Sequence, residues 1–103
     1  MALSEILKAL SDPTRREIVR LLRERDLSAG DLAEQFPLAK STLSGHFNVL
    51  KAAGLVVTER RGTTIVYSLQ LSALEEGLLG LMSLLRVGPE GARKTRKDKE
   101  SKR

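Results

Sequence analysis

A mainly α-helical domain carrying one small β-hairpin is what this sequence predicts, and three observations predict it. Apolar residues recur at three- and four-residue spacing in five separate stretches. Caps and breakers punctuate those stretches at Ser11-Asp12-Pro13, Ser28, Pro37 and Gly54. Between residues 55 and 69 the period shortens to two, and β-branched residues flank an Arg-Gly-Thr turn. The predicted order is α-α-α-α-β-β-α, with residues 1–87 forming one domain and residues 88–103 a basic, disordered tail.

Leu3, Ile6, Leu7 and Leu10 mark a first amphipathic helix with Glu5 and Lys8 outward. It stops at Ser11-Asp12-Pro13, where Asp12 is placed to cap a second helix and Pro13 to fill its first position. The second helix turns Ile18, Leu21 and Leu22 inward, with Val19 widening the stripe. Arg15, Arg16, Arg20 and Arg23 face outward beside Glu17 and Glu24. This is a solvated, partly ion-paired face, from whose start Arg15 or Arg16 can reach a phosphate.

Residues 27–57 hold two short helices, expected at 29–36 and 40–53 and separated by Pro37. Ser28 caps the first, Asp31 makes a capping-box variant, and Leu27 against Leu32 fits a hydrophobic staple. In the second, Leu43, Phe47 and Leu50 form the buried stripe. Gly54 stands where a helix-ending glycine belongs, with Leu55 placed to contact Leu50 as in a Schellman motif. Opposite the stripe lie Ser41, Ser44, Gly45, Asn48 and Ala52, flanked by Lys40 and Lys51. A merely solvated face would carry strong helix formers such as Glu and Lys. This one is small and hydrogen-bonding, which suits close approach to another surface. Two helices joined by a tight turn, the second with such a face, make a helix-turn-helix pattern.

Strands are expected at 55–60 and 64–69 around Arg61-Gly62-Thr63, with glycine supplying the positive φ of the turn. Ile65, Tyr67 and Leu69 alternate inward; Thr64, Val66 and Ser68 point the other way. Arg60, Arg61 and Thr63 therefore sit at the tip, as on a basic wing that reaches a minor groove or phosphates. The last helix is expected to begin at Ser72, with Glu75 completing a capping box. Leu74, Leu78, Leu81 and Leu85 form its stripe, Met82 borders it, and Leu79 and Leu84 fall outside it. A helix apolar on several sides must be covered on several sides, and so small a domain leaves a second subunit to do it. Gly77 and Gly80 permit close helix approach, and Gly88-Pro89 ends the helix.

The bulk composition bounds the function. At 103 residues, 41% apolar and 30% charged, the chain reads as one ordinary globular domain with few aromatics, so its core rests on Leu, Ile and Val. Having no cysteine, it has no disulfides and no thiolate metal sites. The first residues lack the apolar run of a signal peptide. Residues 78–87, broken by Gly80, Ser83 and Arg86, fall short of the roughly 20 apolar residues that span a bilayer. No membrane insertion and a cytoplasmic, nucleoid-associated location are expected. Net charge is +5, but residues 88–103 hold seven Lys/Arg against Glu90, Asp98 and Glu100, so +4 belongs to the tail and +1 to the rest. The telling cluster is Lys40, Lys51, Arg60 and Arg61 against Glu59 alone. No nucleophile with histidine and carboxylate, no Gly-rich phosphate loop and no metal-ligand spacing occurs, so an enzyme is not expected.

With helix, helix, helix-turn-helix, hairpin and helix in order, the sequence resembles the ArsR-type winged-helix repressors of bacteria over about residues 3–85. The stretches that carry the likeness are Ala9-Leu10-Ser11-Asp12-Pro13-Thr14-Arg15-Arg16; Leu43-Ser44-Gly45-His46-Phe47 with Leu50-Lys51-Ala52-Ala53-Gly54-Leu55-Val56; and Arg60-Arg61-Gly62 leading to Val66-Tyr67-Ser68-Leu69. The resemblance implies a homodimer through the first and last helices that binds an imperfect palindrome in its own or a neighbouring promoter and represses until a signal releases it. Lys40, Lys51, Arg60 and Arg61 would then neutralise phosphates. Ser41, Thr42, Ser44, His46 and Asn48 would contact base edges or backbone, with Gly45 and Thr63 at the same surface. Leu3, Ile6, Leu7, Leu74, Leu78, Leu81, Met82 and Leu85 would build the dimer interface.

Two departures from the family pattern matter. Its metal sensors carry Cys-x-Cys where this chain has Ser28 and Gly30, and the last helix offers Glu75 and Glu76 but no histidine. No metal and no cofactor are therefore expected, and the pattern is most similar to the cysteine-less, SdpR-like autorepressor branch, whose signal can be a small molecule or a sequestering protein. Ala39 and Gly45 weaken the second helix of the pair, the lost cap by about 1 kcal/mol and the glycine by a similar amount. His46, the only histidine, lies about 60° from the centre of the buried stripe, where core packing and phosphate contact both fit. Two other functions stay open: a non-specific, architectural nucleic-acid binder driven by the tail, and a winged helix used for protein contacts.

Overall fold

The computed structural model describes residues 3–86. Five helices and a three-stranded sheet follow one another as α1 Leu3–Ala9, α2 Pro13–Glu24, β1 Leu27–Ser28, α3 Ala29–Glu34, α4 Lys40–Ala52, β2 Val56–Arg61, β3 Thr64–Leu69 and α5 Leu71–Leu85. The tail from residue 88 and the Gly88-Pro89 stop lie outside the described residues. α5 already ends at Leu85, where Arg86 takes the left-handed cap at φ 57°.

Local signals set most element ends. The Asp12 carboxylate accepts from the Arg15 N–H at 3.1 Å with Pro13 at the first helical position, and Ser28 Oγ accepts from the Asp31 N–H at 3.0 Å. At the end of α4, Leu55 N–H donates to Leu50 O at 3.1 Å and Gly54 N–H to Lys51 O at 2.9 Å. That pair of bonds, with Gly54 at φ 78°, is the Schellman motif, and it turns the chain from α4 into β2.

The core is built from Ile18, Leu32, Leu43, Leu50 and Leu55, all essentially inaccessible, with Leu22, Phe47 and Val56 around them. Each such side chain contributes roughly 1.5–3 kcal/mol of burial. Three of the set, Leu43, Phe47 and Leu50, lie on one stripe of α4, so that helix is seated across the middle of the domain.

Three expectations need correction. The sheet has a third strand: β1 pairs antiparallel with β3, Leu27 opposite Tyr67 and Ser28 opposite Val66, giving the order β1-β3-β2. With β3 in the middle, Val66 is buried although the alternation put it outward, and only Tyr67 and Leu69 of the expected inward set pack on the core. The capping box of the last helix does not form. Gln70 is the only residue between β3 and α5; its N–H is held by Leu55 O at 2.8 Å, and its carbonyl accepts from Ala73 and Leu74. Ser72 is thus already inside the first turn, too late to cap it. Finally, Arg15 does not face outward. Its guanidinium folds back on the end of α1, as described below.

Candidate nucleic-acid interface

The outward side of α4 is the surface on which the sequence concentrates its small polar residues. Lys40, Ser41, Thr42, Ser44, Gly45, Asn48, Lys51 and Ala52 are all exposed. No side chain caps the start of this helix at Ala39, and a Cβ built on Gly45 meets nothing within 4 Å. The helix is nonetheless supported on both flanks. On one, Phe47 stacks on Tyr67 of β3, ring centroids 4.6 Å apart and tilted by 42°, a contact of about 0.5–1.5 kcal/mol. Burial pushes the Tyr67 phenol above its usual pKa, so it stays uncharged. On the same flank a cleft of about 210 Å³ separates α3 from α4; Lys40 and Ser44 line it opposite Ala29, Gly30 and Ala33.

On the other flank stands His46, the one residue of the expected reading set that is not exposed. Its Nδ1 lies 3.1 Å from Arg15 Nη1 and 3.8 Å from Asp12 Oδ2. Arg15 also donates from Nε to Ala9 O at 2.6 Å and from Nη2 to Lys8 O at 3.1 Å, and Arg16 Nη1 donates to Leu10 O at 2.8 Å. Burial raises the Asp12 carboxyl, but the Arg15 N–H, the neighbouring His46 ring, the Thr14 N–H and the Arg15 guanidinium together outweigh it and hold its pKa below the usual value. The arginine run missed this arrangement because helix periodicity places Cα atoms, whereas a guanidinium can swing back a full turn. The orphan carbonyls at the end of α1 were the available signal.

The hairpin carries the remaining expected residues. β2 and β3 pair from Val56 opposite Leu69 to Arg61 opposite Thr64, leaving Gly62-Thr63 as a two-residue loop. Glycine at φ 65° in the first loop position, followed by a residue without positive φ, is the type II′ pattern. Arg61 therefore ends the strand rather than sitting in the turn. It pairs with Glu59 on the same strand face, Nη2 to Oε1 3.0 Å. Arg60 points to the other face and has no ion pair among the described residues. All of Arg60, Arg61 and Thr63 are exposed at the hairpin end.

The expected interface residues divide. Ile6 is 4% exposed and lies against Gly77 of its own chain, and Leu74 packs on the core. Leu3, Leu81 and Met82 are half-buried, while Leu7, Leu78 and Leu85 are 44%, 56% and 60% exposed. Leu71, Leu79 and Leu84 join them as exposed apolar residues of α5.

A helix pair seated on a shared core, its second helix presenting a small polar face, with a basic hairpin beyond it, defines a winged helix-turn-helix protein of the DNA-binding class. Known proteins agree. The profile of the bacterial regulatory proteins of the arsR family matches residues 12–58. The transcriptional repressor SdpR of Bacillus subtilis is 38% identical over 86 residues, 84% of this chain and 96% of that one. The arsenical resistance operon repressor of Staphylococcus xylosus is 44% identical over 73 residues, 71% of this chain and 70% of that one. Among solved structures, an ArsR-like transcriptional regulator from Rhodococcus sp. RHA1 superposes with a TM-score of 0.78 at 32% identity, covering 98% of this chain and 90% of that one. The chain belongs to the ArsR family of bacterial regulatory proteins, which are transcriptional regulators and not enzymes.

The metals that some members of this family sense do not fit these residues. Ser28 spends its hydroxyl on the α3 cap, Gly30 has no side chain, and among the described residues Glu75 and Glu76 gather no third ligand. Among the described residues no three His, Cys, Asp or Glu side chains gather closely enough to hold an ion. None of the described helices is long and apolar enough to cross a membrane.

Proposed function

We propose that this chain is a homodimeric, cytoplasmic, nucleoid-associated repressor that binds an imperfect palindrome in its own or a neighbouring promoter. The observation that carries the reading is the outward face of α4, polar and exposed along its length while Leu43, Phe47 and Leu50 anchor the helix from beneath. Hydroxyls read bases ambiguously, but Asn48 can pair bidentately with adenine. Lys40, Lys51, Arg60 and Arg61 neutralise phosphates, with Arg60 the stronger wing contact because Glu59 already occupies Arg61. The exposed leucines of α1 and α5 meet their copies in the partner, which sets the two α4 helices in successive major grooves about 34 Å apart. Repression is proposed from the similarity to named repressors, and a small molecule or a sequestering protein releases it.

Selection of bound sites from a random duplex pool tests this, with the full chain and with a chain ending at residue 87. A palindrome enriched by both, with a match in the protein's own upstream region, supports autorepression. Binding that disappears with the tail and enriches nothing supports the architectural binder instead. Absence of binding by either chain supports a protein-contact module.

A further inference from the structure

The contact between Arg15 and His46 joins two parts of the molecule with different duties. Arg15 is the third residue of α2, and its side chain runs backward to the last carbonyls of α1, Ala9 O at 2.6 Å and Lys8 O at 3.1 Å. Ala9 O has no backbone partner among the described residues, whereas Lys8 O also accepts from the Ser11 N–H and hydroxyl; a guanidinium at this helix end also suits the local negative potential. Its remaining Nη1 reaches His46 Nδ1 at 3.1 Å, in the middle of α4. One planar cation therefore fixes α1, a helix of the proposed dimer face, to the helix proposed to read DNA.

The chemistry of the pair also fixes the proton on the ring. A guanidinium donates and cannot be deprotonated in a protein, so Nδ1 must accept and carry no hydrogen. The neutral imidazole then holds its proton on Nε2. That nitrogen bonds no described residue, and the His46 side chain keeps 17% of its surface exposed. Among the described residues, the charged groups against the ring are Arg15 and Asp12, both from the start of α2. Protonating Nδ1 would set N–H against N–H and exchange Arg15 for the Asp12 carboxylate, 3.8 Å away.

We propose that Arg15 is a positioning residue for DNA binding that acts through His46: it ties α4 to α1 and, by donating to Nδ1, sets the proton of the neutral ring on Nε2, whose N–H donates to a DNA phosphate. The proposal rests on the DNA-binding reading above. Of the contacts the sequence left open for His46, it selects the DNA backbone, and it gives Arg15 a role without any contact to DNA. Asparagine at 46 places an amide oxygen where Nδ1 stands and so keeps the bond to Arg15. Glutamine places its amide at the level of Nε2 and does not.

The chain has a single histidine, so the imidazole nitrogens give one set of NMR signals. In the free protein, with the ring neutral, Nε2 is expected to bear the proton; an Nδ1–H tautomer would overturn the proposal without any mutation. The second arm is a double-mutant cycle on a fluorescein-labelled duplex carrying the enriched palindrome, with folding of each variant checked by circular dichroism. R15A and H46A should each weaken binding roughly ten- to hundredfold, the range of one hydrogen bond to a charged group. The double variant should bind no worse than the weaker single one. In H46N the further change R15A should again weaken binding, whereas in H46Q it should not. Losses that multiply would show Arg15 acting independently of His46 and overturn the proposal. So would a salt slope lowered by about one in H46A, because a neutral donor releases no counterion. If the wild type prefers no palindrome, the DNA-reading proposal fails, while the tautomer remains readable in the free protein.

Discussion

Adding one methyl group at Gly77 and at Gly80 tests how α5 is docked. A Cβ at Gly77 would stand 2.7 Å from Ile6 Cδ1 and 3.2 Å from its Cγ2, whereas a Cβ at Gly80 meets nothing within 4 Å. Ordinary contact begins near 3.5 Å, so Ile6 or α5 must give by most of an ångström. Ile6 is buried in the core and has no solvent to swing into. Overpacking of this kind costs about 1–3 kcal/mol. Both substitutions gain about the same helix propensity, up to 1 kcal/mol relative to glycine. That gain cancels between them, leaving G77A less stable than G80A by about 1–3 kcal/mol. For a domain of this size each kcal/mol moves the melting midpoint by about 4–8 °C. Denaturant and thermal unfolding, at several matched protein concentrations because a dimer's stability depends on them, provide the readout. Equal shifts in the same direction would refute the close α1–α5 approach through Gly77. A G80A chain that is stable but monomeric would place Gly80 at the subunit contact.

Three further outcomes follow from the same geometry. L78E should abolish dimerisation in sedimentation while leaving the helical signal intact, because Leu78 is more than half exposed in the single chain; an unchanged sedimentation coefficient would move the interface elsewhere. R60A should weaken binding uniformly across duplex sequences and lower the salt slope by about one, and R61A by less, because Arg61 is already paired with Glu59; equal effects would count against that pairing. Asp12 and Glu17 both have depressed carboxyl pKa values. For Asp12, burial opposes the shift but the Arg15 N–H and nearby charge outweigh it; for Glu17, the Arg20 hydrogen bond leads. Their contributions are therefore present above the unfolded-state values near about 4 and are lost as pH falls through the lower folded ones. D12N keeps a good cap but removes one titration, so its stability should fall less steeply between pH 5 and pH 2, as checked by urea unfolding across that range.

The fold was legible wherever one residue type is needed at one place. Asp12, Pro13, Ser28 and Gly54 each satisfy orphan backbone groups or a positive φ, and the chain ends its helices where they stand. The α4 stripe was legible for the same local reason, three residues on one side of a regular helix. β1 was not legible, because two residues are too few to show alternation and their partner lies some forty positions away. That missing strand also hid the burial of Val66. The capping box at Ser72 and Glu75 had the right letters, but the direct passage from β3 into α5 had already closed the first turn. In the candidate site, the exposed residues of α4 could be placed from the wheel alone. The Arg15–His46 bond could not, because it depends on how α1 and α2 cross beneath α4 and on a side chain long enough to reach both.

The central claim is that α4 and the hairpin together read a defined duplex sequence. Equilibrium competition between the enriched palindrome and a shuffled duplex of equal length and composition, at near-physiological salt, tests it most directly. A specificity ratio of at least about 10³ is predicted. A ratio near one, with affinity collapsing as salt rises, would contradict it.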